Sequence, residues 1–208
     1  MAANTSLLGR IRLVLWGLVA IAAFVGGAIF LGHMQEAARQ GASLPGAVRI
    51  GGDFELVDQN GDPYSSEALK GRPHAVFFGF THCPDICPTT LFEMTKHLEA
   101  LGPDADKLTV LFVTVDPARD TPAQLKTYLS AFDPRIVGLS GSAKQVADAA
   151  SKYRIVAEKV ATSDGSYTMN HTASVFLFDS SGTLVSTLNW EEPEETRHKK
   201  LQRLMQRS

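Results

Sequence analysis

Twenty consecutive residues without a charge, LVLWGLVAIAAFVGGAIFLG at positions 13–32, constrain this chain more than any other feature. At 1.5 Å per helical residue they cover the roughly 30 Å hydrocarbon core of a bilayer. Arg10 and Arg12 precede them, and the first acidic residue is Glu36. By the positive-inside rule, residues 1–12 stay in the cytoplasm or the mitochondrial matrix, 13–32 form a single transmembrane anchor, and the rest is translocated. The apolar region of a cleaved signal peptide is normally shorter, roughly 7 to 15 residues, and no cysteine comes just after the segment to receive a lipid. Residues 33–47, small and polar with Gly and Pro, read as a tether. The remaining stretch, 48–208, is long enough for one domain with a real core.

Composition supports that division. Hydrophobic residues are 44% and charged residues 20% of the 208, which excludes a disordered chain. The formal net charge of −2 gives no support to a nucleic-acid binder, whose domain is normally strongly basic.

Within 48–208, apolar runs alternate with helical patterns. Strands are expected over 50–57, 75–80, 108–115, 136–139, 173–178 and 183–188. Asn60-Gly61 and the segment 179–182 mark two hairpin turns. Leu91, Met94, Leu98 and Leu101 fall at helical spacing, and Gly102-Pro103 stops that helix. Thr121-Pro122 opens a second helix, 143–153 forms a third, and the tail from Glu194 forms a fourth with Leu201 and Leu204 as its apolar stripe. This order predicts an α/β domain, a thioredoxin-like central mixed sheet flanked by helices, preceded by one N-terminal transmembrane helix.

The only two cysteines, Cys83 and Cys87, lie in Thr81-His82-Cys83-Pro84-Asp85-Ile86-Cys87-Pro88, between a buried strand and the start of a helix. A bridge four positions long stabilises little, so chemistry is the better reason for the pair. The helix N-terminus favours a thiolate, the form needed for both nucleophilic attack and metal binding. Three intervening residues, where redox pairs more often have two, tilt the motif toward a metal; inert buried cysteines are the competing reading. Six histidines could add a ligand. His33 borders the apolar segment, His198 lies in a charged tail, His74 in a turn, and His97 well inside a helix, solvated or part of a helix face. His82 is too close to Cys83 for easy joint chelation, and His171 precedes a strand. Spacing alone does not choose among them.

Three blocks together resemble the Sco/SenC family of membrane-anchored, thioredoxin-like copper proteins: GFTHCPDICP at 79–88, VDPARDTP at 115–122 and NHTA at 170–173. The resemblance spans nearly the whole domain. It implies that Cys83, Cys87 and His171 bind one copper ion, as copper(I) or copper(II), received from an upstream copper donor. It further implies delivery to the binuclear copper site of cytochrome c oxidase subunit II, with Asp116 at a supporting position near the site. The alternative is a thiol–disulfide reductase that uses Cys83 and Cys87 to keep the oxidase cysteines reduced. One departure is visible: Asn170 stands where the family usually has Asp, which removes a carboxylate beside His171. Two soft thiolates and an imidazole suit copper(I), and three ligands leave an open face for transfer. Zinc in a structural role prefers a fourth ligand.

A peroxidase of the peroxiredoxin type would need an arginine at the sulfur; none is in the motif, although Arg119 or Arg135 could approach in space. A sensor would need a membrane partner, because only about twelve residues precede the anchor. The expected location is a bacterial inner membrane with the domain in the periplasm, or a mitochondrial inner membrane facing the intermembrane space. The lack of an Arg- and Ser-rich transit segment favours the former. The charges from Glu191 to Arg207 are expected to form a solvated face.

Overall fold

The computed structural model describes residues 7–39 and 49–207. The chain divides into two compact units, Met1–Val48 and Arg49–Ser208. The first contains helix α1 (Leu7–Arg39), whose stretch Ile11–Ala28 has a mean hydropathy of 2.0 and is long and apolar enough to cross a membrane. Helical structure continues past the apolar run into the segment read as a tether. The remainder of that segment, 40–47, and the first six residues lie outside the described residues.

The second unit is built on β3 (His74–Gly79) and β4 (Thr109–Thr114), where all six residues of β3 and five of six in β4 are buried. Runs such as HAVFFG and TVLFVT lack polar alternation because both faces are covered, as expected of parallel neighbours. They pair in parallel, Phe77 opposite Phe112, and β5 (Ile136–Ser140) continues the parallel set beside β4. Antiparallel strands complete the sheet on each side. These are β1 (Glu55–Asp58) and β2 (Pro63–Ser65) beyond β5, and β8 (Val175–Phe178) and β9 (Leu184–Leu188) beyond β3, in the order β2-β1-β5-β4-β3-β8-β9.

Helices α2 (Ile86–Leu101), α3 (Pro122–Leu129), α4 (Ala143–Lys152) and α5 (Glu194–Gln206) surround this sheet. Phe78 and Phe178 meet Tyr153, just past α4, whereas Phe77 meets Phe112 and through it Tyr128 of α3. Successive strand residues face opposite ways, so α3 and the end of α4 cover opposite faces. One cap and one turn expected from the sequence are present: Thr121 accepts from Gln124 N–H ahead of Pro122, and in the Asn-Gly turn Asp58 accepts from the N–H groups of Asn60 and Asp62.

The differences are local. The first strand is shorter than its apolar pattern, starting at Glu55, because Gly51 turns the backbone to φ +96° while its N–H bonds Lys152 O. A hairpin not expected from the sequence, β6 (Ala157–Ala161) and β7 (Tyr167–His171), forms a separate two-stranded sheet. Arg197, expected in solvent, is buried, and so is His97, for which solvent and a helix face were both open.

Candidate metal centre

The parallel strands β3 and β4 deliver their C-terminal ends to the same edge of the sheet, and the loops after them build the site. Cys83 sits in the turn after β3, and Cys87 lies in the first turn of α2. Asp85 caps this helix without a side-chain bond. The Cys87 N–H donates instead to Cys83 Sγ at 3.4 Å, so a sulfur takes the place of the usual capping oxygen. Cys87 is fully buried, and Cys83 is half-buried.

His171 arrives from the far end of the chain, on the last residue of β7. Its Nδ1 lies 3.0 Å from the Thr172 carbonyl. A carbonyl only accepts, so Nδ1 carries the proton and Nε2 presents its lone pair, 3.6 Å from Cys87 Sγ. Phe80 meets the imidazole edge-to-face. The two sulfurs and a ring nitrogen of His171 all lie within 4.8 Å of one another, a spacing that could hold one metal ion.

The sulfurs are unequal. The hydrogen bond from the Cys87 thiol stabilises the Cys83 thiolate against the opposing effect of burial; the N–H groups of Asp85 and Cys87 add to it, and the Cys83 pKa falls. The same bond, then burial, pushes the Cys87 thiol up. The pair therefore parts with one proton readily and holds the second, as coupled groups do.

A polar layer without a clear sequence signal supports the ligand loops. The fully buried Asp120 accepts from Thr81 N–H (3.0 Å), Thr81 Oγ1 (2.7 Å) and Thr114 Oγ1 (2.6 Å), tying the cysteine loop to the loop after β4. Asp116 is buried nearby; it accepts from Tyr167 Oη at 3.0 Å and from Arg119 Nε. Asp116 thus borders the site through β7 without joining the three-atom cluster. Arg119 is engaged by Asp116 and Tyr167, and Arg135 by Asp133 and Asp106. The only advance signal for Asp120 and Thr81 was their place inside the motif blocks. His82 stays half-exposed, 3.9 Å from Asp120, and His97 and His198 stack on each other between α2 and α5.

The family model described as SCO1/SenC matches residues 42–206. The SCO2-like protein of Rickettsia conorii is 43% identical over 137 residues, 65% of this chain and 67% of that one. Among solved structures, copper-bound ScoI of Bradyrhizobium japonicum is 50% identical, with a TM-score of 0.69 over 74% of this chain and 99% of that chain. Copper-bound yeast Sco1 is 35% identical, with a TM-score of 0.69 over 76% and 90%.

Proposed function

This chain belongs to the SCO1/SenC family, and we propose that it is a copper carrier. It holds one copper(I) as cargo on Cys83 Sγ, Cys87 Sγ and His171 Nε2, receives it from an upstream donor, and passes it to the binuclear copper site of cytochrome c oxidase subunit II. The helix α1 anchors it in a bacterial inner membrane with the domain in the periplasm. What carries the reading is the convergence of two thiols and a lone-pair-bearing imidazole nitrogen within 4.8 Å. Soft sulfur with nitrogen is the donor set copper(I) favours over harder ions. A three-donor site leaves one side open, so an acceptor thiolate can add before a donor leaves. Asp116 takes a supporting part by holding Tyr167 on the strand that bears His171.

The test is a competition titration of the reduced chain against a chromophoric copper(I) chelator. One equivalent should bind. Cys83→Ser, Cys87→Ser and His171→Ala should each weaken binding by more than the roughly 10- to 100-fold that supporting residues contribute at metal sites. Wild-type affinity in His171→Ala would overturn the ligand set.

The asymmetry of the sulfurs favours a second, compatible reading, reduction of an oxidised acceptor. The half-exposed Cys83 thiolate attacks one sulfur of the acceptor's disulfide and releases the other as a thiolate. Cys87, having lost its proton, then attacks Cys83 in the mixed disulfide. The acceptor gains two electrons and this chain ends as the Cys83–Cys87 disulfide. A Cys87→Ser chain should trap the mixed disulfide with subunit II; no trapped species would count against this reading.

A further inference from the structure

His171 depends on a hairpin that the main sheet does not hold. Strands β6 and β7 hydrogen-bond only to each other as a sheet, and all five residues of β6 are exposed. Among the described residues, and apart from the adjoining Thr172, residues 157–171 are hydrogen-bonded to the rest of the domain at two places. One is His171 itself, against Cys87. The other is Tyr167, where Arg119 Nη1 donates to its carbonyl at 3.0 Å and its own Oη donates to Asp116 Oδ1 at 3.0 Å.

The contacts at Tyr167 are unusually dense. Its ring lies 3.7 Å from the Arg119 guanidinium carbon and 3.5 Å from Lys159 Nζ, measured to the ring centroid. Two cations that close to one centroid must occupy opposite faces, so the ring is sandwiched between them. Lys159 belongs to β6 and Arg119 to the loop after β4, so the sandwich joins hairpin to domain. Asp116 binds Arg119 through one carboxylate oxygen and Tyr167 through the other. Tyr167 stands four residues before His171, about 13 Å along a strand, too far to touch an ion held at His171.

We propose that Arg119 and Tyr167 are positioning residues: together with Asp116 they clamp the β6–β7 hairpin to the loop after β4 and so fix where His171 Nε2 stands over the two sulfurs. The effect on metal rests on the copper reading above; the clamp itself does not. Without the clamp, β7 keeps only Met169 packed on the core and the contacts of His171 itself, and more of the ligand's position would have to be fixed each time an ion binds. The clamp removes that cost in advance, which is how preorganisation raises affinity.

Hydrogen exchange and copper(I) competition on the full chain test this, using Arg119→Ala, Arg119→Lys and Tyr167→Phe. Arg119→Lys keeps the charge and loses the fork that reaches Asp116 and the Tyr167 carbonyl together. Tyr167→Phe keeps the ring between its cations and loses only the hydroxyl, so it remains informative should Arg119→Ala fail to fold. In the metal-free protein the β6–β7 amides should exchange about tenfold faster in Arg119→Ala and less so in the milder variants, with β3 and β4 amides unchanged. Copper(I) affinity should fall about 10-fold or more in Arg119→Ala, the range seen for supporting residues. Exchange that rises equally in β3 and β4 makes these residues structural only and overturns the proposal. So does hairpin exchange that stays at the wild-type rate, or faster hairpin exchange with undiminished affinity. Should the wild-type chain take up no copper(I), the carrier reading falls, and exchange of the metal-free hairpin alone decides the clamp.

Discussion

Gly79 lacks a side chain because the Phe112 ring and the Cys87 sulfur occupy the space. A Cβ built there would stand 2.9 Å from Cys87 Sγ and 2.6 Å from Phe112 Cε2, both buried in the core. Neither neighbour is free to move: the sulfur is fixed by the first turn of α2, and the Phe112 ring is wedged against Phe77 and Tyr128. Overpacking of this kind costs about 1–3 kcal/mol. Gly79→Ala should lower the urea midpoint accordingly without changing the slope, and should also weaken copper(I) binding, since a Cβ 2.9 Å from Cys87 Sγ forces the sulfur to shift as well as the Phe112 ring. A denaturation curve and a metal titration on one preparation check both. If the midpoint fell while the affinity held, the sulfur's position would not depend on Gly79. The cysteines themselves were legible in the sequence because everything that places them is local: an apolar strand, two prolines and a helical pattern within a few positions. His171 was legible only through the resemblance of the block at 170–173, since its nearness to Cys87 spans 84 positions and depends on a hairpin whose one local signal is the Asp164-Gly165 turn.

At the scale of elements, what escaped the sequence has a common cause: exposure and burial that polarity does not announce. Strand β6 is exposed on both faces, so it shows no alternation by which to find it. The opposite happens between α2 and α5, where charged and titratable residues read as surface are inside. Arg197 is buried, donates to Glu93 at 2.7 Å and gathers the carbonyls of Trp190 and Glu192 at the start of α5. His97 packs against His198 across the same interface. Burial first, then the positive neighbours His198, Arg197 and Lys96, hold the His97 pKa down at about 4 against the opposing charge of Glu194; Glu93, paired with Arg197, lines the same interface. The unfolded chain, with an ordinary imidazole near 6.5, takes up this proton first. The stability that neutral His97 confers is therefore complete above about pH 6.5. It is lost progressively as pH falls toward 4, by about 3 kcal/mol in all for this group. Chemical denaturation at pH 7, 5.5 and 4.5 should show that loss in the wild type and a smaller one in His97→Gln, which cannot charge. Parallel pH profiles for the two proteins would remove His97 from the account.

For the molecule as a whole, the question is what covers the side chains of α1. Leu13, Trp16, Leu18, Ile21 and Phe24 are all more than half exposed, Phe24 at 81%, on a helix with an 18-residue stretch of mean hydropathy 2.0. At about 25 cal/mol per Å² of apolar surface, leaving that face in water is far costlier than placing it in lipid. The unit Arg49–Ser208, by contrast, buries most of its apolar residues in its own core, with Phe92, Val156, Val160 and Trp190 as its exposed large ones. The two units should therefore part company in a membrane extraction. The full chain should stay with the membrane pellet through an alkaline carbonate wash and leave it only in detergent, and a chain of residues 49–208 should remain in the soluble fraction. A cleaved leader would instead yield a shortened soluble protein from the full-length gene, visible as a loss of mass from 22.5 kDa. The distinction bears on the proposed chemistry. A tethered carrier searches the membrane surface in two dimensions, which raises its effective concentration at a membrane-bound acceptor without any new contact. Replacing residues 1–48 by a cleavable leader should accordingly leave the copper(I) affinity of the domain unchanged and reduce oxidase activity in cells at equal expression. Full activity from the untethered domain would show that anchoring contributes nothing to delivery.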